Sequence, residues 1–325
     1  MNWLIGYFHW ISTLLKRTPM STIINGCNSA WPELNYQHWK NTLKTIHQWT
    51  QIIGKIRLKA MPWQNHSWHT TLYVTARGFS TGSMPYGNGI FEIELDFESH
   101  ELIIRSTFHP EQRFGLAEHT VSTFYTELFE TLSAINIPIE IYGRPNEMED
   151  NTRFDENHHS GYDTQAVLDF WQAAVSIHNV FLKFRSGFIG KCSPVHLFWG
   201  AFDIAVTRFS GRSAPLHQGG MPNMPLEVMQ EAYSQEVSST GFWPGSDDFP
   251  EPIFYSYCYP TPEKFSTANI RPEQAFWSPD LGEFMLKYED VRLSTDPEAV
   301  LMEFLETTYE AAAETGNWDR GMLEV

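Results

Sequence analysis

The sequence predicts an α+β protein built from two tandem units, each a helix, an antiparallel sheet and a further helix, packed as a pseudo-symmetric pair. Three observations lead there. Phe91, Ile93, Leu95 and Phe97 alternate with Glu92, Glu94, Asp96 and Glu98, the period-two pattern of a strand with one buried face and one wet, acidic face. Elsewhere apolar residues recur every three to four positions, the stripe of an amphipathic helix. The order helix, strands, helix then occurs twice, on either side of a polar stretch at 143–162.

In chain order, a first helix is expected from about 36 to 57, with Trp39, Leu43, Ile46, Trp49 and Ile53 on its buried stripe. Strands follow over 68–76 and in a short piece ending at Ser83, and the residues from Pro85 to Gly89 form a turn cluster. The acidic strand connects through Ser99 and His100 to Leu102, Ile103 and Ile104. A helix over about 117–135 carries Val121, Phe124, Leu128 and Leu132. Residues 143–162 read as a linker between a first unit at 29–142 and a second at 163–325. The second unit opens with a helix from about Thr164 and continues with a strand pair near 191–212. A Pro- and Gly-rich excursion follows at 213–225, and further strands lie near 232–239, 252–259 and 283–286. Its closing helix is well signalled, with Asp296 as N-cap, Pro297 at the first helical position and Gly316 past the end.

Gly54-Lys55 is echoed by Gly190-Lys191, and the stretch from Thr75 to Ser80 by that from Thr207 to Ser210, which suggests an internal duplication. If Phe91 aligns with Phe254, the acidic face of the first unit becomes a stripe of Tyr255, Tyr257 and Tyr259 in the second. Such a stripe suits a half-buried surface. Packing against the first unit is weighed ahead of lining a ligand cavity.

The 325 residues are 42% hydrophobic and 15% aromatic, ample for a sizeable core. A formal charge of −17 and the absence of a basic run argue against nucleic acid. Cys27, Cys192 and Cys258 are sparse and form no CxxC pair, which fits free thiols in a reducing, cytoplasmic setting and disfavours a thiolate zinc site. The apolar run from Trp3 to Leu15 is too short to span a bilayer and has its charges, Lys16 and Arg17, behind it. Residues 1–28 therefore read as a dispensable extension, with a membrane-surface helix as the competing reading.

The densest polar cluster on apolar strands lies between Lys191 and Arg212. His69 and His196 occupy similar places in the two units and, with Glu236, are candidates for acid–base catalysis or for holding a divalent transition metal. Lys191, Trp199, Arg208, Arg212, Trp243 and Tyr257 are candidates for substrate binding, the arginines as clamps for a carboxylate. The bland alternatives are a histidine bonded to a backbone carbonyl, Glu236 paired with Arg208 or Arg212, Asp203 neutralising Arg208, and the two aromatics of a Gly241-Phe242-Trp243-Pro244-Gly245 loop plugging a core. No GxGxxG before a helix, Walker loop or GxSxG elbow is present, so a nucleotide cofactor is not expected.

Trp31-Pro32, TQIIGKIRL from Thr50, LYVTARG from Leu72, FIGKCSPVHLFWGAFDIAVTRFSGR from Phe188, EVSSTGFWPG from Glu236 and YEAAAETGNWDR from Tyr309 carry a resemblance. From Trp31 onward the chain resembles an uncharacterised bacterial family catalogued only as a domain of unknown function, family 5996. The resemblance implies that Lys191, His196, Trp199, Asp203, Arg208 and Glu236 belong to that family's motif set, and implies no activity. The expected function is an enzyme, metal-assisted in one version, acting on a small polar or anionic molecule in a cleft between the units. The alternatives are a non-catalytic small-ligand-binding protein and a structural or interaction protein.

Overall fold

The computed structural model describes residues 30–221 and 223–325, and the expectations for residues 1–28 lie outside them. Helix α1 (Tyr36–Ala60) starts where the Asn35 side chain accepts from the Gln37 N–H at 3.1 Å. It ends with Arg57 and Lys59 facing the negative end of its dipole. Its predicted stripe is buried, and Trp49 stacks on Phe124 at 4.8 Å. Phe124 belongs to α2 (Val121–Ala134), which Thr120 caps in a reciprocal box with Thr123.

Between these helices lies the first sheet: β1 (Tyr73–Val74), β2 (Gly78–Ser80), β3 (Met84–Tyr86), β4 (Gly89–Asp96), β5 (Glu101–Ser106) and β6 (Gln112–Gly115). They run in the order β1-β2-β4-β5-β6, with β3 also on β4, all antiparallel. Phe91, Ile93 and Leu95 point into the core as predicted. The opposite face is less wet than expected. Glu94 and Asp96 are buried, and the acids are neutralised by arginines, Arg77 on Asp96 and Arg105 on Glu94 at 2.8 Å.

The second half contains α3 (Thr164–Ser186), β7 (His196–Phe198), β8 (Asp203–Ser213), α4 (Leu226–Ala232), β9 (Gln235–Trp243), β10 (Ile253–Tyr259), β11 (Phe276–Ser278) and β12 (Glu283–Lys287). It closes with α5 (Tyr288–Arg292), α6 (Pro297–Thr315) and α7 (Arg320–Leu323). Its sheet is antiparallel in the order β11-β12-β10-β9-β8-β7. Asp296 caps α6 as predicted, accepting from the Ala299 N–H at 3.0 Å. The two sheets meet where Leu72 and Leu197 exchange backbone hydrogen bonds of 2.9 and 2.8 Å.

Several expectations change. Residues 31–325 form one compact body, and the polar stretch at 143–162 packs onto it, with Phe154 fully buried. The 68–76 segment opens as turn, because His66 and Ser67 adopt left-handed backbone around a 3₁₀ turn at Asn65–Ser67, and pairing begins only at Leu72, on Leu197, and Tyr73–Val74, on β2. Gly241, Phe242 and Trp243 extend β9 and do not form a loop. The matches that suggested duplication fall on unlike elements: Gly54-Lys55 is inside α1, whereas Gly190-Lys191 precedes β7. Residues 75–77 turn from β1 into β2, whereas residues 207–210 all lie within β8. The α+β class and the two antiparallel sheets hold without support for the pseudo-symmetric pairing.

Candidate functional site

Register sorts the second sheet into two faces. Asp203, Ala205 and Thr207 of β8 share a face with Gly241 and Ser239 of β9, Tyr255 and Tyr257 of β10 and Met285 of β12. Glu283, two residues before Met285, points the same way. His196 and Phe198 of β7 join this face through their partners Ala205 and Asp203. The opposite face carries Val206, Arg208, Phe242 and Phe254 against α3 and α6.

Over the tyrosine face sit three further pieces: one side of α1, the 142–147 segment and the Trp199-Gly200 turn. His47, Gln51 and Lys55 fall four residues apart on α1, hence on one helical face. The Gln51 amide donates to the Asn146 carbonyl at 2.8 Å and to the Gly200 carbonyl at 3.1 Å, while its oxygen accepts from the Asn146 N–H at 3.0 Å. His47 Nε2 donates to the Gly200 carbonyl at 2.8 Å, and burial pushes this imidazole down to about 4, so it acts as a neutral clamp. Trp199 donates its indole N–H to the Thr70 carbonyl at 2.7 Å, and its ring lies so close to Gly54 that a Cβ there would come within 2.2 Å.

Two other glycines admit the polar side chains. The Glu147 carboxyl rests on Gly200, where a Cβ would lie 1.8 Å from Oε1, and Glu147 itself has φ +57°. The Tyr255 ring lies over Gly241, where a Cβ would lie 2.3 Å from the ring. The Tyr255 hydroxyl donates to Asp203 Oδ2, and the Tyr257 and Tyr233 hydroxyls bond each other at 2.9 Å. Glu147, Tyr233, Tyr255, Tyr257 and Glu283 are each half-buried, and the partly open polar surface they share is the candidate cleft.

The electrostatics follow from this enclosure. Burial pushes Asp203 up to about 6, against the Tyr255 hydrogen bond that favours its charged form. Glu147 rises to about 7 through burial and then the charge of Asp203, with Lys55 opposing. Glu283 also rises to about 7, for the same first two reasons. Lys55 moves the other way, down to about 8, because burial outweighs the pull of Glu147. The Tyr255 and Tyr257 hydroxyls are held well above the ordinary phenol range by burial and neighbouring negative charge. The charge of Asp203 thus bears on both Glu147 and Glu283.

Of the residues singled out from sequence, Trp199 and Tyr257 stand in this cleft. His196 lies on the same sheet face, fully buried against Phe198 at 4.6 Å, and burial followed by the Arg57 charge pushes it down to about 3. His69 accepts from the Gln64 N–H at 3.2 Å and is lowered by burial first, with Arg57 again contributing. The two histidines therefore share the neighbourhood of Arg57. Glu236 does not join them. It projects from the opposite face of β9, accepting from Ser210 at 2.8 Å and pairing with Arg212 at 2.6 Å. Among the described residues no three His, Cys, Asp or Glu side chains are arranged to hold a metal ion, so the proposed His69–His196–Glu236 centre is not assembled.

Arg208 is also on the far face, its guanidinium 3.5 Å from the Phe184 ring centroid and 4.2 Å from that of Tyr309, with Nη2 donating to the Phe184 carbonyl. Arg212 donates to the Gly316 and Asn317 carbonyls at the end of α6. Both arginines serve the scaffold. Trp243 ends β9, opposite Ile253, with its ring 6.3 Å from that of Phe249. Lys191 contacts His66 Nε2 at 2.5 Å and donates to Gln235 at 3.1 Å, above the Phe209 ring. A hollow of about 180 Å³ at the ends of β9 and β10 is lined by Glu236, Cys258 and Trp318 among others, and its carboxylate is the one already taken by Arg212. Accordingly, Glu236→Ala is expected to lower stability by no more than about 1 kcal/mol, as for a partly exposed pair, and to leave the cleft intact. Urea unfolding of the variant checks this.

Sequence reasoning treats Asp203 as a neighbour of Arg208 and Lys55 as half of an echo, and passes over Glu147 and Glu283. The four-residue spacing of His47, Gln51 and Lys55 was a readable signal, a polar stripe on a helix otherwise judged by its apolar one. Glu147 gives no local signal, because its place depends on Gly200, far along the chain.

Residues 31–325 match a family of unknown function (DUF5996), and the chain belongs to that family. No curated protein and no solved structure matches it.

Proposed function

We propose that this family member is an enzyme that performs general acid–base chemistry on a small polar molecule held in the tyrosine-lined cleft. The observation supporting this is the gathering of Asp203 and Glu283 on one sheet face with Glu147 and Lys55 from the segments that cover it, each carboxyl with its proton affinity raised toward neutrality. Enclosing several carboxyl groups with too few partners works against folding. Proton transfer is most effective when the pKa lies near the working pH. In this reading Asp203, oriented by Tyr255, is the base, and Glu147 is the acid. The Tyr257–Tyr233 hydroxyl pair hydrogen-bonds the substrate, and Trp199 backs the site. The same charges disfavour the anionic half of the expected substrate class, because carboxylates repel an anion. Neutral polar or amine-bearing molecules fit better. A binding role without turnover is the second reading, favoured by Tyr255 and Tyr257 stacking with centroids 6.1 Å apart, a ready ring surface for a ligand.

A thermal-shift screen of polyols, sugars, amines and small carbonyl compounds tests both. Compounds of these classes are expected to raise the wild-type Tm by about 2 °C or more and to lose that effect on Glu147→Gln. NMR then follows each binder for conversion. Binders that stay unchanged over hours favour the binding role, and the absence of any stabilising compound defeats both.

A further inference from the structure

We propose that Lys55 is the nucleophile of this cleft, its amine condensing with a small aldehyde or ketone to form an iminium. The proposal deepens, and rests on, the acid–base reading of the same site.

Lys55 is 4% exposed, and its Nζ donates to the Asn146 side-chain oxygen. It stands 5.4 Å from the Trp199 ring centroid and 5.5 Å from that of Tyr142. Among the described residues it forms no ion pair within 4.0 Å. A lysine kept as a counter-charge would take a carboxylate directly. This one is held by a neutral amide in a buried setting, and burial favours the uncharged, nucleophilic amine over the pull that the two ring faces exert on the ammonium. Its lowered proton affinity agrees with that environment. Gly54 holds Trp199 close beside it, and the Gln51 and His47 bonds fix the 146–147 segment and the Trp199-Gly200 turn around it. Lys191, the other enclosed lysine, is engaged by His66 and Gln235 and lies at a different stretch of the sheet.

The step balances within the cleft. Glu147, as carboxylate, takes a proton from the ammonium. The amine lone pair forms the C–N bond while the carbonyl π pair moves to oxygen, which Glu147 protonates. The nitrogen returns a proton to Glu147, and the hydroxyl leaves with it as water. One ammonium and one carbonyl give one N-protonated iminium and one water, with Glu147 unchanged.

The test treats the full chain at about pH 7.5 with hydroxyacetone or butanal and sodium cyanoborohydride, followed by peptide mapping. Lys55 is expected to be alkylated about ten-fold or more faster than Lys59 or any other lysine. Lys55→Arg is expected to remove the fast phase, and Glu147→Gln to slow it several-fold while the other lysines react as before. The second variant keeps the test decisive if Lys55→Arg folds poorly. Labelling of Lys55 no faster than Lys59 overturns the assignment. If polar compounds still raise the Tm of the same protein, the acid–base reading survives that failure, and if they do not, both fall.

Discussion

Trp199→Ala is expected to lower the unfolding free energy by about 3–5 kcal/mol, the range for removing a buried aromatic side chain. The indole is 7% exposed and packed on the bare Cα of Gly54. Removing it opens a void beside α1 and strips the Thr70 carbonyl of its donor. The damage reaches the cleft as well. Trp199 precedes Gly200, the surface on which the Glu147 carboxyl rests, so any collapse of that turn moves the acid. Trp199→Phe keeps most of the packing and loses the hydrogen bond, and its cost should be less than half as large. Guanidinium unfolding reads both. A cost below about 1 kcal/mol for the alanine variant would show that Gly54 and Trp199 are not packed as described.

The second large effect belongs to Asp203→Asn and shows as a change in pH dependence. Asp203 holds its proton more tightly folded, at about 6, than its ordinary value of 3.8. Across that window the native state binds more protons than the unfolded chain, so wild-type stability falls as pH rises and stays reduced above about 6. Glu147 and Glu283, raised to about 7, extend the fall to neutrality. Asparagine cannot ionise and still accepts from Tyr255. The variant is expected to be more stable than wild type at pH 8 by about 1–3 kcal/mol. Its Tm profile should also be flatter between about pH 4 and 7, because the Asp203 charge that raises the other two acids is gone. Tm measured across pH checks this, and a variant less stable than wild type at pH 8 contradicts the electrostatic account.

What the sequence showed depended on how local the cause was. Helix α6 was legible because Asp296, Pro297 and Gly316 mark its ends within the chain's own neighbourhood. The β4 strand was legible because its alternation is complete, although Glu94 and Asp96 proved buried once Arg105, from β5, and Arg77, from the turn before β2, were brought to them. The 68–76 segment misled in its first half, where Trp68, His69 and Thr70 sit in a turn that follows left-handed backbone at His66 and Ser67. The cleft was legible only in fragments. Tyr255, Tyr257 and Trp199 stood out by residue type. The carboxyl groups that give them chemistry come from β8, β12 and the 142–147 segment, and only the pairing register unites them. The His69–His196–Glu236 grouping failed for a related reason. Similar places in the order of elements do not fix which side of a strand a residue faces, and Glu236 faces away.

The seam at Leu72 and Leu197 bears on how this protein can be divided. Cutting the polypeptide anywhere in 143–162 would leave β1 at a bare margin on one fragment and β7 at a bare margin on the other, each with unmet backbone groups ready to recruit a stranger. The fragments would also part α1, which supplies Lys55, from the strands that supply Asp203 and the tyrosines. Both considerations keep the two sheets in one piece, in line with the single compact unit that residues 31–325 form.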